Sequence, residues 1–104
     1  MQKRKVDFDS SPWETPLPGE RFKAFEHEGQ KLRLVELAAG FVQPDWCTRG
    51  HIGYVLEGEM DVDFDGETVR FSRNDGLFIP AGEDTRHKAN VLSDVVRLIL
   101  VEDA

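Results

Sequence analysis

Side chains that often bind transition metals are concentrated at positions 45–51 of the chain. Asp45, Cys47 and His51 are separated by two and then four residues. Side chains alternate between the two faces of an extended chain, so this spacing would direct all three to the same side. A thiolate, an imidazole and an oxygen donor suit Zn²⁺, and the same set can bind Fe²⁺ or Ni²⁺. Because a thiol must lose its proton to bind, the metal affinity of such a site would depend on pH.

His87 is a further candidate donor, and in an extended chain it would share a face with Thr85. Each donor taken alone also has a simpler interpretation. Cys47 could be a small buried hydrophobic residue, and His51 a hydrogen-bonded core histidine. His87 could be a surface residue between two basic neighbours. A metal-free polar pocket is therefore the alternative to a metal site.

The clearest structural element is a hairpin at residues 60–71. Apolar side chains alternate strictly with aspartates over residues 60–65, which predicts a strand with one dry and one solvated face. Asp65-Gly66 is a strong two-residue turn sequence, and Val69 and Phe71 resume the alternation. The aspartates are therefore interpreted as a solvated outer face and not as paired catalytic carboxylates.

The rest of the chain predicts short strands separated by turns. Residues 31–40 could also form a short helix, but their length and their neighbours favour a strand. No long amphipathic helix is evident, so the pattern indicates an all-β sandwich or barrel. An immunoglobulin-like sandwich, a lipocalin-like barrel and a jelly roll all fit this pattern. The further predicted strands lie within residues 21–29, 31–39, 77–79 and 95–101.

Length and proline content predict one domain preceded by an arm. The 104 residues suffice for a single modest core. Residues 1–20 hold three of the five prolines, and prolines at that density disfavour a helix interior or a central strand. We therefore predict an irregular arm over residues 1–20 and a β-barrel over residues 21–104.

Charge and cysteine content exclude several classes of function. The net charge is −7, which argues against binding to nucleic acid or to anionic membranes. The short basic cluster at residues 3–5 is predicted to be a solvated end. One cysteine cannot form an intrachain disulfide, and no apolar run approaches the roughly 20 residues of a membrane span. With no apolar core of a signal peptide, a soluble cytoplasmic protein is expected.

Two segments, HIGYVLEGEM and GLFIPAGEDTRH, resemble the two sequence motifs of the cupin family. Gly58 fits the closing glycine of the first motif, G-x5-H-x-H-x3-E-x6-G, and His51 then occupies its glutamate position. Cys47 and Asp45 occupy its two histidine positions. Pro80 to Gly82 fits the P-x-G of the second motif, whose histidine position holds Thr85, two residues before His87.

The resemblance covers residues 32–101 and implies a jelly-roll barrel whose central site often holds one divalent metal. A shift of two residues keeps a side chain on the same face of a strand, so His87 could replace the histidine missing at Thr85. The implied ligands are Cys47, His51 and His87, with Asp45 or water as a fourth, and Zn²⁺ is favoured over Fe²⁺ or Ni²⁺. Small barrels often bury further surface by pairing, so a homodimer is expected.

The residues around this site predict a pocket for a small polar molecule. Arginines near the ligands could bind a substrate carboxylate, and aromatic residues could line the mouth. The resemblance implies a metal-dependent dioxygenase, isomerase or lyase. A non-catalytic module that binds a sugar or a carboxylate is the alternative, and a metal-stabilised structural protein is a third. The predicted pocket residues are Trp46, Tyr54, Phe78, Thr85, Arg49 and Arg86.

Overall fold

The computed structural model describes residues 4–104, so Lys3 of the predicted solvated end lies outside the described residues. Within that range the chain is built from strands and two short 3-10 helices, Phe8–Ser10 and Glu83–Thr85. None of the helices in these residues is long and apolar enough to cross a membrane. The strands are β1 Glu14–Leu17, β2 Glu20–His27, β3 Gln30–Ala38, β4 His51–Glu57, β5 Glu59–Phe64, β6 Glu67–Ser72, β7 Gly76–Ile79, β8 Lys88–Val91 and β9 Val95–Asp103.

Two antiparallel sheets enclose the core. One has six strands in the order β1-β2-β3-β9-β4-β7, and the other has three in the order β6-β5-β8. The predicted all-β jelly-roll fold is confirmed, although the two sheets do not close into one continuous hydrogen-bonded barrel. Two isolated bridges, Val42↔Asn90 and Cys47↔His87, pair the segment after β3 with β8 and with the residue that precedes β8.

The predicted hairpin forms as β5 and β6. Asp65 and Gly66 both adopt positive φ, 28° and 106°, as the tight two-residue turn requires. Met60 and Val62 are buried against the other sheet, and the Arg70 guanidinium binds the Asp61 carboxylate on the outer face. The alternating aspartates are therefore the outward side of an amphipathic strand.

The irregular arm predicted for residues 1–20 is wrong in its second half. Glu14–Leu17 forms β1, which pairs with β2, and β2 itself begins at Glu20. Pro16 is tolerated within β1 because β1 is an edge strand, where a missing N–H costs no ladder hydrogen bond on the open side. The consequence is that Glu20 belongs to a sheet wall and not to a peripheral segment.

The pairing of β3, β9 and β4 sets the direction of the side chains at the site. β3 and β9 pair without interruption from Gln30↔Asp103 to Ala38↔Val95. Val35, Leu98 and Leu100 face the core, so Arg33 and Glu102, in the same alternation, also face inward. Ile52 of β4 pairs with Val101, which places the start of β4 beside the end of β9.

Candidate metal centre

The structure brings Cys47, His51 and His87 together at one end of the space between the sheets. Their ligand atoms all lie within 4.8 Å of one another. Cys47 and His87 face each other across the isolated bridge, with backbone N···O distances of 2.9 and 3.0 Å. His51 opens β4, and its Nε2 lies 3.7 Å from Cys47 Sγ. The three donors come from three separate segments, held by backbone pairing.

The second ring nitrogen of each histidine faces an oxygen atom. His87 Nδ1 lies 2.9 Å from the Thr85 carbonyl oxygen, and His51 Nδ1 contacts the Glu102 carboxylate. When Nδ1 donates its proton in this way, Nε2 is left with a lone pair that can bind a metal. A metal that displaces the Nε2 proton of His51 would therefore have both Nε2 atoms available as ligands.

His87 Nε2 supplies the test of whether these residues fit a metal. It is buried and has no hydrogen-bond partner among residues 4–104. A buried polar atom without a partner costs about 1–3 kcal/mol, so native structures rarely leave one without a reason. A metal ion bound to this atom, to His51 Nε2 and to Cys47 Sγ would satisfy all three donors at once, and their chemistry fits such an ion.

Glu102 and Arg33 form a buried ion pair next to His51. The Glu102 side chain is 3% exposed, and it accepts hydrogen bonds from Arg33 Nε at 2.6 Å and Nη2 at 2.8 Å. The same carboxylate contacts His51. Neither residue was predicted from the sequence as part of the site. Glu102 could have been noticed, because it continues the inward alternation of Leu98 and Leu100.

The charges of these groups are strongly coupled. The hydrogen bond with His51, together with the nearby imidazole of His87, lowers the pKa of Cys47 to about 5. Burial alone would lower the pKa of His51, but hydrogen bonds to Cys47 and Glu102 outweigh burial and raise it to about 9. Burial alone would raise the pKa of Glu102, but hydrogen bonds from His51 and Arg33 lower it to about 2. At neutral pH the group therefore contains a thiolate, the ionised form that binds metal.

A cavity of about 460 Å³ adjoins the three donors between the sheets. Apolar side chains of both sheets form most of its wall, among them Leu77 and Leu100 of the six-stranded sheet and Val62 of the three-stranded sheet. Its charged lining residues are Glu20, Lys31, Arg33, Arg49 and Glu102. The arrangement is a mainly apolar pocket with polar groups gathered at the candidate metal centre, which is typical of small-molecule sites.

Comparison with protein families shows that residues 33–102 match a model described as "Cupin domain". The chain belongs to the cupin family. A search of the curated proteins finds no match. The matched range runs from Arg33 to Glu102 and so includes every donor of the candidate metal centre.

Several solved structures with different names are similar to this cupin. It is similar to KdgF from Halomonas sp., with 26% identity, a TM-score of 0.75 and coverage of 96% of each chain. A cupin sugar phosphate isomerase from Silicibacter pomeroyi has 17% identity and a TM-score of 0.78, with 96% of this chain and 75% of that chain covered. The polyketide cyclase RemF from Streptomyces resistomycificus has 20% identity and a TM-score of 0.79, with 98% and 80% covered. The latter two likenesses show the fold alone.

Asp45, predicted as a fourth ligand, lies outside the group formed by the three donors. It is exposed and lines a different concavity, beside Trp46. The predicted alternation fails because residues 43–50 do not form a strand. The bridge to His87 holds Cys47, and β4 begins only at His51. The alternation of side chains along an extended chain therefore does not apply to Asp45.

Tyr54 and Phe78, predicted to line the mouth, point to the outside of the six-stranded sheet. Phe78 is 76% exposed, because Leu77 and Ile79 take the inward positions of β7. The Tyr54 hydroxyl donates to Asn74 Oδ1 at 2.8 Å on that outer surface. Neither residue lines the cavity between the sheets, whereas Phe78 lines a neighbouring concavity together with Arg49 and His51.

Thr85, Arg86 and Trp46 are also absent from the cavity lining, whereas Arg49 is part of it. The Thr85 hydroxyl bonds the Pro80 carbonyl oxygen, which stabilises the 3-10 turn before His87. Arg86 pairs with Asp65 at 2.6 Å and stacks on the Trp46 ring at 4.8 Å. Thr85 therefore contributes through its backbone carbonyl, and Arg86 has partners on the outside.

Proposed function

We propose that this cupin binds a divalent metal ion through Cys47, His51 and His87, and that the adjoining cavity holds a small polar molecule. The observation that carries the proposal is the buried His87 Nε2, which has no other partner among the described residues and lies with two further donors within 4.8 Å. Zn²⁺ suits a thiolate with two imidazoles best, and Fe²⁺ or Ni²⁺ are the alternatives. Three protein ligands leave room for a water or a substrate atom.

A metal held here would supply Lewis acidity, which polarises a carbonyl or hydroxyl oxygen of the bound molecule. The protein's own contribution is to orient the donors and to exclude water. Glu102 and the Thr85 carbonyl hold the two imidazole rings, and the apolar walls of the cavity limit solvent access. An isomerase, a lyase or, with iron, a dioxygenase are the reaction classes that this arrangement supports.

Non-catalytic binding of a sugar or a carboxylate is the second candidate. It is favoured by the pairing of the charged groups at the cavity. Arg33 is engaged by Glu102, and Lys31 lies 3.4 Å from Glu26, so three of the five charged lining residues are already paired. Metal analysis followed by ligand screening would separate this candidate from a structural metal site, because a ligand that binds only the native state raises its stability.

Protein expressed with ample metal is expected to contain about one equivalent of metal per chain, and His87→Ala is expected to lose it. The variant removes the buried donor that has no other partner. Elemental analysis of the purified, folded proteins is the measurement. His27→Ala is the matched control, because that histidine is exposed beside Glu28. Metal-free wild type, or an equal metal content in His87→Ala, would contradict the proposal.

We also propose that the protein is a cytoplasmic homodimer that pairs through the outer face of the six-stranded sheet. Apolar side chains form a row across five neighbouring strands on that face, and sheet faces of this kind pack against one another. The free thiol of Cys47 suits a reducing compartment. In strand order, the row is Phe78, Ile52, Val101, Leu32 and Phe25.

Phe78→Glu is expected to convert a dimer to a monomer, because the charge would have to be buried in the apolar interface. Molar mass from light scattering during gel filtration is the measurement. Leu92→Glu is the matched control, since Leu92 is 43% exposed but lies outside the row. A monomeric wild type at micromolar concentration, or a dimeric Phe78→Glu, would rule out this interface.

A further inference from the structure

Two of the charged side chains that line the cavity have no ionic partner. Arg33 and Glu102 bind each other, and Lys31 is paired with Glu26. Glu20 and Arg49 form neither a salt bridge nor a side-chain hydrogen bond within residues 4–104, and they do not pair with each other although both line the same cavity. Two opposite charges at one pocket that no protein group neutralises can each bind the complementary group of a ligand.

Glu20 is the more unusual of the two. It is the first residue of β2 and is only partly exposed, and its pairing with Leu37 places it in the inward alternation with Phe22. Burial raises the pKa of its carboxyl group, and although Arg33 opposes this effect, the charges of Cys47 and Glu102 add to it. A cation placed beside Glu20 would remove the cost of holding this carboxylate out of water.

Arg49 provides the complementary charge. It lies between the donors Cys47 and His51 in the sequence, is exposed, and lines this cavity as well as two neighbouring concavities. A guanidinium binds a carboxylate through two parallel hydrogen bonds. In a chain with a net charge of −7, an unpaired arginine at a pocket is a specific attraction for a small anion and not part of a general basic surface.

We propose that the cavity is a site for a small zwitterion, whose carboxylate binds Arg49 and whose ammonium group binds Glu20. The ligand is thus of the amino-acid class, with its two charges separated by a short carbon chain that lies against the apolar wall. This inference rests on the proposed role of the cavity as a ligand site. It does not require that the metal contact the ligand.

The test uses the full chain with its metal content measured beforehand. Probes are ω-amino acids of two to six carbons, from glycine to 6-aminohexanoate, each compared with the acid and the amine of the same length. Isothermal titration calorimetry at neutral pH measures the affinities. At least one ω-amino acid is expected to bind about tenfold more tightly than either matched probe, as a charge-assisted contact at each end predicts.

Two variants assign the contacts. Arg49→Gln is expected to reduce the affinity for the ω-amino acid to that of the amine, and Glu20→Gln to that of the acid. Arg73→Gln and Glu57→Gln are the matched controls, since both residues are exposed, lie off the cavity lining and form no salt bridge in the described part of the chain. They should leave the affinity unchanged.

Either of two results would overturn the inference. In the first, no ω-amino acid binds more tightly than its matched acid and amine. In the second, the preference for the ω-amino acid persists in both Arg49→Gln and Glu20→Gln. The two proposals fail separately. A metal-free protein that still prefers the zwitterion would contradict only the proposed metal centre. A metal-loaded protein without a preference for the zwitterion would contradict only the proposed zwitterion site.

Discussion

Glu102→Ala is expected to destabilise the metal-free protein by about 3 kcal/mol and to weaken metal binding by about 10- to 100-fold. The carboxylate is buried at 3% exposure and neutralises Arg33 while it orients His51. Its removal leaves a largely buried guanidinium without a counter-charge, which is the costly way to break an ion pair. It also frees His51 Nδ1, so the ring can rotate and Nε2 is no longer directed toward Cys47 and His87.

Urea denaturation of metal-free protein separates the stability effect from the loss of metal affinity, which competition with a chelator measures. Glu36→Ala is the control, because Glu36 also pairs with arginines, Arg21 at 2.7 Å and Arg97 at 3.3 Å, but on the outer surface. Exposed pairs contribute about 0–1 kcal/mol. If Glu102→Ala were no more destabilising than Glu36→Ala, the central role of the buried pair would be refuted.

Gly53→Ala is expected to cost about 3 kcal/mol or more, enough to prevent folding of a marginally stable domain. Gly53 lies on β4 between β9 and β7. A Cβ there would overlap the Ile99 carbonyl oxygen and lie 2.8 Å from Leu100 Cδ2. The close approach of β4 to β9 depends on the missing side chain, and this approach brings His51 beside Glu102.

Gly76→Ala is the matched control for Gly53→Ala. Gly76 pairs with Tyr54 on the neighbouring strand, and the nearest atom to an added Cβ is the Gly53 oxygen, 3.8 Å away. That distance is an ordinary contact, so the change in the free energy of unfolding should stay within about 1 kcal/mol. Urea midpoints, or the yield of folded protein if Gly53→Ala does not fold, make the comparison. Equal stability of the two variants would show that β4 can move away from β9 at little cost.

The β5–β6 hairpin shows what local sequence can predict. Strict alternation over residues 60–65 and the Asp65-Gly66 turn are both encoded within a dozen residues, and the structure has both. The arm shows the opposite. Proline content excluded a central strand but could not exclude an edge strand, and whether β1 lies at an edge depends on the order of strands in the whole sheet.

β3 shows why the inward charges were missed. Its two faces both carry apolar residues, Leu32 and Leu34 on one and Val35 and Leu37 on the other. The structure turns Leu32 and Leu34 outward and turns Lys31 and Arg33 toward the cavity. The alternation of side chains along a strand determines which residues share a face, but it does not determine which face is buried. That choice follows from pairing with β9, whose inward side carries Leu98, Leu100 and Glu102.

The sequence by itself determined the all-β fold and its hairpin, and it identified the residue types of the candidate metal centre, Cys47, His51 and His87. Only the tertiary structure decided that these donors meet, that Asp45 does not join them, and that Glu102 orients His51. The physical reason is that strand formation depends on neighbours along the chain. The convergence of residues 40 positions apart, such as Cys47 and His87, depends on backbone pairing between distant segments, which no local pattern records.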